Sequence, residues 1–354
     1  MMRMTGKARR GFTLIELLVV VAIIALLIGV LLPSLAGARR AAWQISGANI
    51  QRQLALGSQM YSAENGGAIP GINGGGLQAW RAFEMGQVNS YLDQANQNAG
   101  LATQTYDWIT PSLSADDLPL NRVHRMTYIL DKYRDPAMRQ TVVPYTGGMA
   151  GPGTSDAVAW VAANPGKEVF GSSFLMPAAF QWGGWIPNPS SPNSPLPRIT
   201  DSAGFAIQLN NTFRDPFQVP SSYRPRLSSV ELPAGKISVA DGFRYHAGSL
   251  LDIDMGAIAR LYGTFTSSGA AFRNSTAYGD TDSNNPARGA QIPLSYRHNG
   301  RMNVIFWDMH GDVLSQSESR NPQYWYPSGS KYSGNQAVDE VEDTYGYVSG
   351  DLLP

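Results

Sequence analysis

From Phe12 to Leu35 the chain is apolar in almost every position, and Glu16 is the only charge in the run. Twenty-four residues in a helix at ~1.5 Å each reach about 36 Å, enough to cross a bilayer. Beyond Pro33 the pattern changes from uniformly apolar to one-sided. Trp43, Gly47, Ile50, Leu54, Gly57 and Tyr61 recur at steps of four and three, the spacing of one helical face, so the helix is predicted to continue to about residue 63. That face should pack on a sheet, with Gly47 and Gly57 allowing close approach. The stretch 64–70, ENGGAIP, combines glycine with proline and predicts the stop. Further on, short apolar runs at 169–175, 205–209, 236–240, 250–253 and 302–307 read as strands. In the last, Met302, Val304 and Phe306 point one way and Asn303, Ile305 and Trp307 the other, with both sides largely apolar, as in a central strand covered on both faces. A turn should follow, Gly311 being free to take a positive φ, and then a partner strand. Five prolines between 186 and 198 predict an extended surface loop, either a long insertion on one head or a separator of two subdomains.

Composition narrows the class. Charged residues make up 15% of 354, with 37 Gly and 23 Pro, which suggests a loop-rich, strand-containing body. Formal net charge is zero, so no nucleic-acid footprint is present. No cysteine occurs, and loops must be held without disulfides. Charge is uneven. Arg3, Lys7, Arg9 and Arg10 lie in the first eleven residues without an acid, leaving 23 basic against 27 acidic residues in the remainder. By the positive-inside rule that end stays cytoplasmic and the body lies across the membrane, although Arg39 and Arg40 follow the span and run against the rule.

Three readings compete for the N-terminus. A secretory signal has a basic start, and SLAGA (34–38) would serve as its cleavage site, but its apolar core is usually about 7–15 residues. A plain anchor fits the length. Neither accounts for Glu16, since a charge at mid-bilayer costs about 2.5–3.5 kcal/mol on insertion scales. The string GFTLIELLVVVAIIALLIGVLLP resembles the N-terminus of type IV prepilins and type II secretion pseudopilins. The resemblance implies a basic leader, residues 1–11, cut between Gly11 and Phe12. It further implies methylation of the new Phe12 amine, a helix-kinking Pro33, and a Glu16 that meets the freed amine of a neighbouring subunit. In a low-dielectric setting only close pairing offsets the desolvation of such charges. The plainer alternative leaves Glu16 at headgroup level without a partner.

Two further stretches resemble a large-headed, pseudopilin-like group. Asn49, Gln53, Leu56, Tyr61, Asn65 and Pro70 follow its post-membrane pattern, with Ser46 where a cysteine is common. Near the C-terminus, RHNGRMNVIFWDMHGDV resembles its signature of a histidine, nine residues, then Asp-Gly-His. Here His298, Asp308 and His310 match and Met309 replaces the glycine. These three are either polar residues shaping a hairpin, a metal set, or an acid–base pair. Asp280, Asp282 and Asn284 alternate as in a calcium loop, yet Asn285 and Gln291 stand where the glycine and the closing acid would be. The calcium reading stands beside ordinary Asx turns. The DEVED run (339–343) reads as a solvated patch or a second cation candidate. Trp182 and Trp185 are packing residues or a platform for a sugar or partner.

The expected fold is α+β and pilin-like: a long N-terminal helix on an antiparallel sheet, with large insertions in a head spanning 64–354. The expected role is structural, without catalysis, and without a cofactor apart from the calcium candidate. The resemblance implies as partners a prepilin peptidase/methyltransferase, other pilin or pseudopilin subunits, an inner-membrane assembly platform and the lipid bilayer. The rival is a membrane-anchored enzyme or carbohydrate-binding module that uses the same N-terminus for sorting.

Overall fold

A computed structural model describes residues 13–71, 85–145, 155–181, 187–188, 191–195, 199–200, 206–207, 215–220, 222–244, 246–247, 251–257, 263–280, 291–334 and 336–354. Helix α1, Leu14–Glu64, runs through Pro33 and ends where the glycines begin, with Gly66 and Gly67 at positive φ and the Gly67 N–H donating to the Ser62 carbonyl. By length and composition it can cross a membrane, and its apolar first half is exposed throughout. The chain divides into two compact units, residues 1–43 and 44–354. The second contains helices α2 (Val88–Ala95), α3 (Arg122–Lys132) and α4 (Ser155–Ala163) and two main sheets.

The central sheet is built from β3 (Phe174–Pro177), β4 (Ile237–Asp241), β7 (Thr266–Ser267), β8 (Arg301–Phe306) and β9 (Gly311–Ser315), in the order β7-β3-β4-β8-β9. All its pairings are antiparallel except β7 with β3. A second sheet joins β5 (His246–Ala247), β6 (Leu251–Asp254), β1 (Thr141–Tyr145) and β2 (Val169–Phe170), with β1 and β6 parallel. The sheets are thus mixed rather than purely antiparallel, because each gains a parallel strand from a distant part of the chain. The run at 169–175 does not form one strand. Gly171, with the Phe243 ring 2.2 Å from where a Cβ would stand, breaks it into β2 and β3, which join different sheets. In the proline-rich stretch, Pro187–Asn188 pairs antiparallel with Ser191–Pro195, so it is not loop alone. Of the 205–209 run, Ala206–Ile207 lies among the described residues and pairs with Ile199–Thr200.

The alternation read in 302–307 holds. Met302, Val304 and Phe306 enter one core with Trp325, Tyr326 and Tyr332, while Ile305 and Trp307 enter another with Leu54 and Ala55 of α1. The α1 face that packs is rotated from the predicted one. Its buried residues are Gly47, Gln51, Leu54, Ala55, Ser58 and Ser62, whereas Trp43, Ile50, Gly57 and Tyr61 are half-buried. The contact is close, so small side chains occupy it. Gln51 reaches across, its Nε2 donating to the carbonyls of Val239 (3.1 Å) and Asn303 (3.1 Å). The predicted use of the glycines is met: a Cβ on Gly57 would lie 2.0 Å from the Ser112 carbonyl oxygen, and one on Gly47 2.6 Å from Asp135 Oδ2.

Candidate functional site

The carboxylate against Gly47 belongs to a buried ionic cluster. Asp135 sits in the turn after α3, where its Oδ1 accepts from the Ala137 N–H at 2.7 Å. Asp241 ends β4. Arg297 and His298 precede β8, in a tight reversal where Asn299 and Gly300 both take positive φ (56° and 76°). His298 and Arg301 exchange both backbone hydrogen bonds at 3.1 Å, a two-residue hairpin turn that suits Asn-Gly because both central positions are left-handed. The turn aims two cations at two anions. Arg297 Nε donates to Asp135 Oδ2 at 2.9 Å, and Arg297 Nη2 donates to Asp241 Oδ1 at 2.8 Å and to the Ser173 carbonyl at 2.7 Å. His298 Nε2 lies 2.9 Å from Asp135 Oδ2 and 3.4 Å from Asp241 Oδ2. The same Asp241 Oδ2 accepts from the Asn303 N–H of β8 at 2.8 Å.

Burial works against the charges of His298, Asp135 and Arg297, and the partners overcome it. Desolvation would push the His298 imidazole down, but hydrogen bonds to Asp135 and Asp241 and their negative charges raise it to about 9. Desolvation would likewise raise Asp135, yet the Arg297 charge and the His298 hydrogen bond hold it well below the usual carboxylate range. At neutral pH the His298 imidazole is therefore protonated and Asp135 ionised, beside the Arg297 guanidinium. The donor atoms of Asp135, Asp241 and His298 lie within 4.8 Å of one another, close enough to surround a cation. Arg297 already supplies positive charge at that point, and a divalent ion would have to displace it. The arrangement acts as an ion-paired lock joining the α3 turn, β4, the start of β8 and the Gly47 face of α1.

The other two motif residues lie elsewhere. Asp308 and His310 belong to the turn between β8 and β9, at the opposite end of a six-residue strand from His298, roughly 20 Å away at ~3.3 Å per residue. The nine-residue spacing is thus the length of β8 plus its turns, and the three side chains form no common site. His310 Nδ1 meets Asp308 Oδ1 at 2.5 Å, the His310 N–H donates to the same oxygen at 3.1 Å, and the imidazole stacks on Phe306 at 4.2 Å between centroids. Both are partly exposed. The left-handed position of this turn is not Gly311 but Met309, at φ 73°. The residue that replaces the group's glycine keeps a glycine-like conformation.

Asp280 accepts from Arg320 Nη2 at 2.6 Å; a cation at Asp280 would face that guanidinium. Asp282 and Asn284 lie outside the described residues, as do Trp182, Trp185, Gly11 and Phe12. In the acidic run, Glu342 accepts from the Tyr332 hydroxyl at 2.6 Å and Asp339 pairs with Arg273.

At the start of α1, Glu16 has a partner in its own helix. Thr13 donates to Glu16 Oε2 from its N–H (2.9 Å) and its hydroxyl (2.8 Å), while the Glu16 N–H donates to Thr13 Oγ1 at 3.3 Å. This is a reciprocal capping box, which satisfies donors that a helix start otherwise leaves open. The sequence carried that signal as Thr-x-x-Glu, and the Asn-Gly turn beside His298 was equally legible. Asp135, Asp241 and Arg297 had no sequence signal that set them apart.

Residues 6–32 match the family model of the prokaryotic N-terminal methylation motif. The match spans the basic residues Lys7, Arg9 and Arg10, then Gly11, Phe12, Glu16 and most of the apolar run. The chain therefore carries the N-terminus of a pilin-like precursor, a motif of structural subunits rather than enzymes, on a helix suited to anchoring in a membrane. No curated protein and no solved structure matches the chain.

Proposed function

We propose that the chain is the precursor of a filament subunit of the type IV pilus or type II secretion pseudopilus kind. A prepilin peptidase cuts between Gly11 and Phe12, and the new Phe12 amine is methylated. The 12–35 helix holds the subunit in the inner membrane, with the four leading basic residues on the cytoplasmic side and the head beyond the membrane. An inner-membrane platform then draws subunits into a filament. There Glu16 exchanges its Thr13 contacts for the amine of a neighbouring subunit, and that charge pair offsets desolvation of both groups.

The observation that carries this reading is the methylation motif placed on a long, exposed apolar helix with a single acid in its first turn. Mass spectrometry of the chain from producing cells tests it. The expected mature form begins at N-methyl-Phe12. A start after Ala38 would return the segment to a cleaved signal, and an uncut chain would leave it a plain anchor. With the leader still trimmed, Glu16→Ala should abolish subunit–subunit crosslinks.

A further inference from the structure

We infer that Arg39, Arg40 and Trp43 form a binding surface for anionic phospholipid headgroups at the outer face of the span, which sets how deeply α1 sits. The inference rests on reading 12–35 as a membrane span. Described residues Leu14 to Leu35 alone give a helix about 33 Å long at ~1.5 Å per residue, against a hydrocarbon core of about 30 Å. Arg39 and Arg40 then fall roughly 6–8 Å beyond the last apolar residue, at the depth of lipid phosphates, and Trp43 stands one turn further out, on their aqueous side.

The two arginines have no counter-charge near them on their helix. Between Glu16 and Glu64 there is no Asp or Glu, so neither arginine has an acid three or four residues away. Both arginines are exposed. The Arg39 guanidinium lies 4.9 Å over the Trp43 ring, which orients its planar donor fork and suits bidentate contact with a phosphate. This also accounts for two arginines on the side where the positive-inside rule disfavours them: they serve depth rather than orientation.

Because the chain has no cysteine, one introduced thiol reports position without interference. The full chain carrying Ala36→Cys, inside the arginine level, is reconstituted in phosphatidylcholine vesicles, alone or with roughly one part in three phosphatidylglycerol, and labelled with an uncharged, impermeant polyethylene-glycol maleimide. Labelling requires the helix to ride outward, so phosphatidylglycerol should slow it. Arg39→Gln and Arg40→Gln should each remove roughly fivefold of that protection, the double variant nearly all of it. No slowing in the parent, or slowing that persists in the double variant, overturns the inference. In the second case the arginines are left to pair with carboxylates of another protein chain. Ile28→Cys, at mid-span, reads the underlying assumption separately: if it labels freely, the membrane reading has failed, whatever Ala36→Cys does.

Discussion

Replacing His298 with glutamine keeps a side chain of similar reach that can still donate to a carboxylate, but it removes the cation that balances Asp135 and Asp241. The magnitude follows from linkage. An imidazole of ordinary pKa 6.5 that rises to about 9 on folding binds its proton more tightly in the native state, by about 3 kcal/mol at roughly 1.4 kcal/mol per pH unit. The folded value lies above the unfolded one. This stability is therefore fully present below pH 6.5 and is lost as pH rises through 9. The His298 share of the low Asp135 pKa reflects the same interaction and is not a second increment; the larger share comes from Arg297, which the variant keeps. Urea unfolding of the purified full chain in detergent, parent and variant side by side from pH 6 to 10, reads the effect. The difference should be about 3 kcal/mol at pH 6, shrink between pH 7 and 9, and reach a small constant packing remainder by pH 10. Lys236, pushed down to about 8 by burial, works in the opposite direction over part of this window, which is why the difference between the two chains, and not either slope alone, is diagnostic. A gap that stays constant across the range would refute the charged-imidazole account.

The helix contact offers a test of opposite intuition. Ala for Gly in a helix normally gains about 1 kcal/mol, but at Gly47 the methyl would meet Asp135 Oδ2 at 2.6 Å while Arg297 and His298 hold that carboxylate in place. Gly47→Ala should lose about 1–2 kcal/mol in chemical unfolding, and become neutral or better in an Asp135→Ala background, where the obstacle is gone. Gly57→Ala should cost more, about 2–3 kcal/mol, because the atom in its way is the Ser112 backbone carbonyl. At the β8–β9 turn, Met309→Gly should hold or raise the melting temperature, and Met309→Val should lower stability by about 1–2 kcal/mol, since a β-branched residue tolerates φ 73° poorly. On the acid side, the depressed Asp135 pKa contributes stability above pH 3.8 that is lost as pH falls toward 2. Asp135→Asn should therefore show a flatter stability profile across that acid range.

Several features were readable because they depend only on neighbours along the chain. The apolar run and its single acid, the stop after Glu64, and the two-faced alternation of 302–307 each follow from a local pattern, and the methylation-motif segment, residues 6–32, is that run with the basic residues just before it. The Thr13–Glu16 box and the Asn299–Gly300 turn were equally local. What sequence alone could not supply was partnership. Asp135 and Asp241 meet Arg297 and His298 across 56 to 163 residues of intervening chain, and one carboxylate looks like another until the fold removes water around it. The packed face of α1 shifted for a related reason: a hydrophobicity pattern places Gln51, Ser58 and Ser62 outside, whereas a helix lying tight on a sheet selects small residues and an amide that can reach strand carbonyls. The His298–Asp308 spacing, which reads as one constellation in the sequence, spans a strand that carries its ends apart. Local periodicity decided which segments become helix and strand; only the tertiary structure decided which charges face each other, because burial makes an ion pair strong and burial belongs to the whole fold.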